Sequence, residues 1–412
     1  MGIRDLSGVT VALAASGGLD SCTITRWLVD NGVAVVALTA DLGQPDEANI
    51  EDAATRMRAA GASEAVIVDG REALAQAGLE VVQAQAGYEG GYWNTTGIAR
   101  YVTVAAMLPE LAVRNIGVLA HGATGRGNDQ VRFQLAANMQ APNIDVYAPW
   151  RDPHFLEQFP GRQEMIAYCD AKRIPIRATR EKPYSTDANF LGLTHEAGNL
   201  EDLSTPAEFV SPEMGVYPKD APDAGRRIRI RFESGLPVAF DGEEMPIHSV
   251  FDRANTIGGA HGVGIGLHTV ENRFVGIKSR GVYEAPGMTL LGRSYAYLLQ
   301  LILDRRARPV FDSLSSSLGR QIYEGYWHDL ASRSIRQAIG VFTKLATGTI
   351  VVDINRGHVQ FASAEDVPHS LYTDASSMEG VGDFDHVDSE GFLGVLGVSA
   401  RASHAAGQTD SR

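Results

Sequence analysis

Cysteine is almost missing from this chain: Cys22 and Cys169 are the only two in 412 residues. Two thiols without a Cys-x-x-Cys pair exclude a disulfide framework, a zinc ribbon and a dithiol redox centre, so both are expected to be small core residues. Positive charge is also short. Lys and Arg number 36 against 50 Asp and Glu, a formal charge of -14, which disfavours a protein that binds by neutralising phosphate backbones. Nucleic acid is therefore not an expected partner. No apolar run approaches the ~20 residues needed to cross a bilayer, and the opening "MGIRDLSGVT" has no long apolar segment. No membrane partner is expected, and the chain reads as cytoplasmic. Aromatics are few, at 8%, yet 44% of the residues are apolar, enough for a large core, and the length favours two domains.

What is present begins with alternation. Apolar, β-branched runs at 9–15, 33–40, 64–70, 116–122 and 145–150 are separated by helical stretches such as 20–30, whose end is marked by Asn31 and Gly32. That pattern predicts an α/β fold, a doubly wound and mostly parallel sheet, over residues 1–171. The proline-containing "KRIPIRATREKPYSTD" reads as the crossing into a second, α+β domain over 172–395. There "RRIRIRFESGLPVAF" (226–240) alternates cleanly, and together with "TIVVDINRGHVQFAS" (349–363) it predicts two antiparallel hairpins covered by helices from 293–345. Residues 396–412, small and polar at their end, are expected to be a disordered tail.

The first strand runs into "ASGGLDSC" and then a helix. Gly17 and Gly18 let the backbone curl tightly, so the first-turn N–H groups of the helix face a ligand, and the helix dipole favours an anion. Ser16 and Ser21 add hydroxyls, and Asp20 could hold a divalent cation beside a phosphate. The string is neither a Walker A loop nor a dinucleotide fingerprint, since it lacks Gly-Lys-Ser/Thr and a third glycine. "GGAHGVGIG" (258–266) is a decoy, away from any strand-to-helix step, and is expected to be a flexible turn. A second loop, "HGATGRGNDQVRFQ" (121–134), opens on the same sheet edge. Its Asn128, Asp129 and Arg132 gather an amide, a carboxylate and a guanidinium at one helix mouth, a set suited to an amino-acid zwitterion, with the Arg fork on the carboxylate. Two further polar stretches, 181–202 and 270–287, read by themselves as a loop and as a solvated helix face, yet each carries acids, bases or a phenol beside glycines.

Ser-Gly-Gly-Leu-Asp-Ser resembles the loop of the ATP pyrophosphatase (PP-loop) family, which implies AMP transfer with release of pyrophosphate. With "ADLGQPDE", "HGATGRGNDQVRF", "PYSTDANFLGLTHEAGNLED" and "VENRFVGIKSRGVYEAPG" in order, residues 8 to about 395 resemble the argininosuccinate synthase family. The resemblance implies a nucleotide-binding domain, a synthetase and multimerisation domain and a C-terminal arm reaching across a homotetramer. It implies ATP contacts at Ala14, Ser16, Gly17, Gly18, Leu19, Asp20, Ser21, Cys22, Ala40, Gly122, Thr124 and Asp187. It implies aspartate contacts at Thr124, Asn128 and Asp129. Citrulline contacts fall on Tyr92, Asn128, Arg132, Ser185, Thr194, Glu196, Glu271 and Tyr283, with Thr96 beside them. Catalysis would rest on Asp20, Ser21, Asp129 and Arg132, with Mg²⁺ at Asp20. The implied reaction, in arginine biosynthesis, has two steps: the ureido oxygen of citrulline attacks the α phosphate of ATP, and the amine of aspartate then displaces AMP.

Three positions depart from the family's usual residues: Ala15 for an aromatic, Gly97 for Ser or Pro, and Arg126 for Lys. They leave open a paralogue that adenylates another ureido, amide or carboxylate acceptor. Sulfur transfer to tRNA, which uses the same loop, would want catalytic cysteines and a basic surface. A non-catalytic nucleotide-binding module would release no pyrophosphate on addition of an acceptor.

Overall fold

The computed structural model describes residues 1–47, 49–176, 184–376 and 386–410. The first apolar run forms strand β1 (Thr10–Ala14), in which Val11, Ala12 and Leu13 are fully buried. A strand apolar on both faces belongs at the centre of a helix-covered parallel sheet. Helix α1 (Leu19–Asp30) follows, ended by Gly32 in the left-handed region at φ 77. The chain continues through β2 (Ala34–Asp41), α2 (Glu51–Ala60), β3 (Glu64–Asp69), α3 (Arg71–Ala84) and α4 (Thr95–Val113). It then forms β4 (Val118–His121), α5 (Asp129–Gln140), β5 (Asp145–Tyr147), α6 (Pro153–Gln158) and α7 (Arg162–Ala171). The five strands pair in parallel in the order β3-β2-β1-β4-β5. Winding reverses between β1 and β4, so a crevice opens at their carboxyl ends, the place where open α/β sheets bind ligands. The loops 15–18 and 122–128 rim that crevice.

The stretch expected to cross between domains lies partly outside the described residues, at 177–183. Beyond it, the polar run expected to be a loop is a hairpin, β6 (Ser185–Asn189) and β7 (Gly192–Glu196). Polar residues occupy the strand positions that would otherwise carry the apolar alternation, because that face lines the crevice rather than a core. The predicted hairpin at 226–240 is β8 (Arg226–Glu233) and β9 (Leu236–Phe240), joined by Ser234 and Gly235, both left-handed at φ 47 and 80, as a two-residue type I′ turn requires. A short β10 (Glu243–Glu244) and α8 (Ile247–Ala260) follow.

The 270–287 stretch, whose default reading was a helix face, is also a hairpin: β11 (Ile265–Asn272) and β12 (Lys278–Glu284). Helices α9 (Pro286–Ile302), α10 (Ala307–Glu324) and α11 (Leu330–Thr343) lead to the second predicted hairpin, β13 (Gly348–Asn355) and β14 (His358–Glu365). Two antiparallel sheets result, β11-β12-β7-β6 and β10-β9-β8-β13-β14. The largest apolar cluster joins Ala12 and Val36 of the first sheet to Ile228 and Ile350 of the third, so one continuous core runs beneath both halves.

The tail departs from expectation. Residues 396–405 are not disordered but end a twenty-residue helix, α12 (His386–Ala405). It buries none of its residues and exposes Phe392, Leu393, Val395, Leu396 and Val398. Among the described residues no helix is long and apolar enough to cross a membrane.

Candidate active site

The side expected to take a nucleotide is built by the loop between β1 and α1. Gly17 is left-handed at φ 70, and a Cβ there would lie 2.8 Å from the Cα of Ala53, so glycine is required twice over. Its carbonyl accepts from Arg56 Nε at 2.7 Å, and Arg56 also pairs with Glu47 at 3.1 Å, which pins the curl from behind. The Ser16 amide donates to Ser21 Oγ at 3.1 Å, and the Gly18 amide to Ser16 Oγ at 3.3 Å. No side chain caps α1 at Gly18, so the start of this helix keeps amide donors that an anion could use. Leu19 and Cys22 can offer a ligand only their backbone: both side chains lie in the core below the loop, and burial pushes the Cys22 thiol up to about 12. Ala14 ends β1 and Ala40 is the next-to-last residue of the neighbouring β2.

Asp20 sits beside Gly122, whose Cβ would lie 3.8 Å from that of Asp20, so the two glycine loops meet as expected. Burial raises the Asp20 carboxyl, which favours a partner cation. Among the described residues no group of three acidic, His or Cys side chains could hold a metal by itself. One carboxylate fits an ion that arrives on phosphates, the usual manner of Mg²⁺.

The side expected to take the acceptor is one face of the β11-β12-β7-β6 sheet. Ser185 pairs with Glu196 and Asp187 with Thr194 across the β6–β7 hairpin; Tyr283 lies opposite Thr194, and Glu271 follows at even spacing on β11. Side chains alternate along a strand, so all six project from the same face. Gly281 permits this, because a Cβ there would meet the Tyr283 hydroxyl at 2.5 Å. Thr96 Oγ1 meets Thr194 Oγ1 at 2.9 Å and the Thr96 amide donates to Tyr92 Oη at 3.0 Å, tying α4 to this face.

Tyrosines box Glu271. Tyr92 stacks on Tyr283 with centroids 4.2 Å apart, and Tyr88 on Tyr323 at 3.8 Å. Tyr283 Oη donates to Glu271 Oε1, while the buried Oε2 has no partner among the described residues. A desolvated acceptor oxygen left open calls for a donor from a ligand. Glu196 is half-open, with its carboxyl raised to about 7 by desolvation in the cleft and by Asp129, against the pull of Arg273 at 3.6 Å.

Between the two sides lies an ionic chain that sequence reading missed in part. Arg132 Nη1 donates to Asp129 Oδ1 at 2.8 Å; Arg100 Nε donates to Asp129 Oδ2 at 3.0 Å, and its Nη2 to Asp187. Burial would raise the Asp129 carboxyl, but the two guanidiniums outweigh it and hold it low. Asp187 shares a single guanidinium and faces Asp129, so burial leaves its carboxyl raised. Arg132 does not present an open fork, as its motif suggested. Its Nε and Nη2 both donate to the Tyr323 carbonyl, at 3.0 and 2.9 Å, because the end of α10 packs against α5 and its last carbonyls need donors. Asn128 Oδ1 accepts from the Phe274 amide at 2.9 Å. Thr124 lies in the described loop between Gly122 and Asn128.

Of the three departures, Ala15 is buried in the core and Arg126 is exposed. Gly97 alone touches the acceptor end: its Cβ would lie 3.3 Å from the Ile322 carbonyl and 3.6 Å from Arg132 Nε, so α10 occupies the space of a side chain.

Residues 10–175 match the family description "Arginosuccinate synthase N-terminal HUP domain", and residues 184–403 "Arginosuccinate synthase C-terminal domain". The argininosuccinate synthase of Rhodopirellula baltica is 41% identical over 394 residues, 94% of this chain and 96% of that protein. Those of Thermotoga maritima and of the Arabidopsis thaliana chloroplast are each 38% identical, covering 93% and 94% of this chain and 95% and 78% of theirs. With both halves matched in order over nearly its whole length, the chain belongs to the argininosuccinate synthase family.

Proposed function

We propose that this chain joins citrulline to aspartate, splitting ATP to AMP and pyrophosphate by way of a citrullyl-adenylate, in the making of arginine. The observation that carries this reading is the confrontation of two surfaces: free helix amides at the β1–α1 loop, and a single sheet face bearing carboxylates and tyrosines. The first suits the phosphates of ATP, with contacts from Ala14 to Cys22, Ala40, Gly122, Thr124 and Asp187. The second suits an amino acid whose ammonium is taken by Glu196 and the open oxygen of Glu271, with Tyr92, Thr96, Ser185, Thr194 and Tyr283 around it. Thr124, Asn128 and Asp129 stand between and receive aspartate.

In the first step the ureido oxygen bonds to the α phosphorus and the bond to the β phosphate's bridging oxygen breaks. A ureido oxygen is a weak nucleophile, so holding it in line contributes much of the rate. The loop amides and Ser21 take up charge that builds on the pyrophosphate. Asp20 would hold Mg²⁺, which supplies further charge neutralisation when bound. In the second step the aspartate nitrogen, having lost one ammonium proton, bonds to the activated carbon, the C–O bond to AMP breaks, and the nitrogen sheds a second proton to solvent while keeping the third. Arg132, locked to the Tyr323 carbonyl, acts by fixing Asp129. We read the protein as cytoplasmic and as a homotetramer, with α12 as the arm whose apolar side chains meet neighbouring subunits.

Pyrophosphate release by the purified protein with Mg-ATP, repeated with each amino acid omitted, tests the reading. Release that requires citrulline, with argininosuccinate as the product mass, is expected. Release that requires a different ureido or carboxylate compound would reassign the acceptor.

A further inference from the structure

Asp129 is the carboxylate proposed above to receive the ammonium of aspartate, yet each of its oxygens already accepts from a guanidinium, Oδ1 from Arg132 and Oδ2 from Arg100. The two arginines are not equally free to yield. Arg132 is tied by two further bonds to the Tyr323 carbonyl. Among the described residues Arg100 has no backbone tie through its guanidinium; its other ionic partner there is Asp187, the carboxylate of the sheet face given above to the nucleotide, and its flat group rests over Phe133 at 5.9 Å. The helix beneath it is rigidly held. Asn94 donates to the Ala86 and Gly319 carbonyls at 3.0 Å each, and Thr96 is bonded to Thr194.

A long side chain on a fixed post, shared between two carboxylates, will respond to a third anion. A guanidinium binds phosphate oxygens as readily as carboxylates. We propose that Arg100 is a positioning residue that couples the two subsites, withholding Asp129 Oδ2 from aspartate until nucleotide phosphate draws the guanidinium away. Aspartate binding is thereby made dependent on bound nucleotide. This rests on the assignment of Asp187 to the nucleotide and Asp129 to aspartate made above.

The test is calorimetric titration of the full-length protein with aspartate, in the presence of citrulline, with and without α,β-methylene-ATP. In the unaltered protein the nucleotide is expected to tighten aspartate binding at least about fivefold, the lower range of site-to-site coupling. In Arg100→Met the ratio is expected to fall to about one, because Asp129 Oδ2 is free from the start; Arg100→Gln serves equally should the methionine variant not fold. A merely structural role would weaken binding in both conditions and leave the ratio unchanged. The same ratio in variant and unaltered protein, or no nucleotide effect in the unaltered protein, would overturn the role of Arg100 alone. Absence of aspartate binding under every condition would overturn the assignment of the subsites as well.

Discussion

Glu196, unlike Asp129, Asp187 and Glu271, accepts no hydrogen bond on its side chain among the described residues and has only the 3.6 Å approach of Arg273. Its carboxyl is raised from 4.5 to about 7, so between those values the folded protein holds a proton that the unfolded chain has lost. Ionisation of Glu196 therefore lowers stability as pH rises through this window, and that cost is offset when a cationic ligand arrives. The KM for citrulline is accordingly expected to fall between pH 6 and pH 8, and Glu196→Gln should flatten that limb; an unaltered limb in the variant would remove Glu196 from the acceptor site. Asp129 has the opposite character, held ionised by two guanidiniums. Asp129→Asn should raise the KM for aspartate at least about tenfold, as loss of a charge-assisted bond does, while pyrophosphate release driven by citrulline alone should persist. Loss of both activities together would place Asp129 on the nucleotide instead.

At the scale of elements, the β1–α1 loop works because its backbone is forced into a curl and held there. Gly17→Ala puts a Cβ into the left-handed region and against Ala53, and a cost of at least about 1–2 kcal/mol is expected. Urea melts should show that loss together with weaker ATP binding; an unchanged midpoint would mean that the loop relaxes freely. The parallel sheet and the hairpins at 226–240 and 349–363 were legible because their apolar periodicity follows their burial. The β6–β7 and β11–β12 hairpins were not, for a physical reason: Ser185, Asp187, Thr194, Glu196 and Glu271 stand at inward positions where a strand ordinarily shows apolar residues. The motifs marked those residues as candidate ligands while disguising the strands that carry them. Arg100 escaped notice because it lies among small and apolar neighbours in "GIARYVTV", and only the fold brings Asp129 and Asp187 to it. Tyr323 was hidden likewise, since its role depends on the end of α10 packing on α5.

For the molecule as a whole, α12 stands out as a twenty-residue helix that buries none of its residues. Five large apolar side chains between Phe392 and Val398 stand in solvent on a helix with nothing buried, a patch that association would cover. Light scattering should therefore give four chain masses for the full protein and a smaller assembly once residues 386–412 are removed. A monomeric full-length protein would contradict the tetramer. The continuous core joining the two halves is consistent with cooperative unfolding of both, which leaves the arm as the separable part. The account stands most directly on which oxygen attacks the α phosphate. Citrulline labelled with ¹⁸O in its ureido group, turned over with Mg-ATP and aspartate, should yield AMP carrying the label and unlabelled pyrophosphate. Label absent from AMP, with turnover intact, would contradict adenylation of the ureido oxygen and with it the reading of this site.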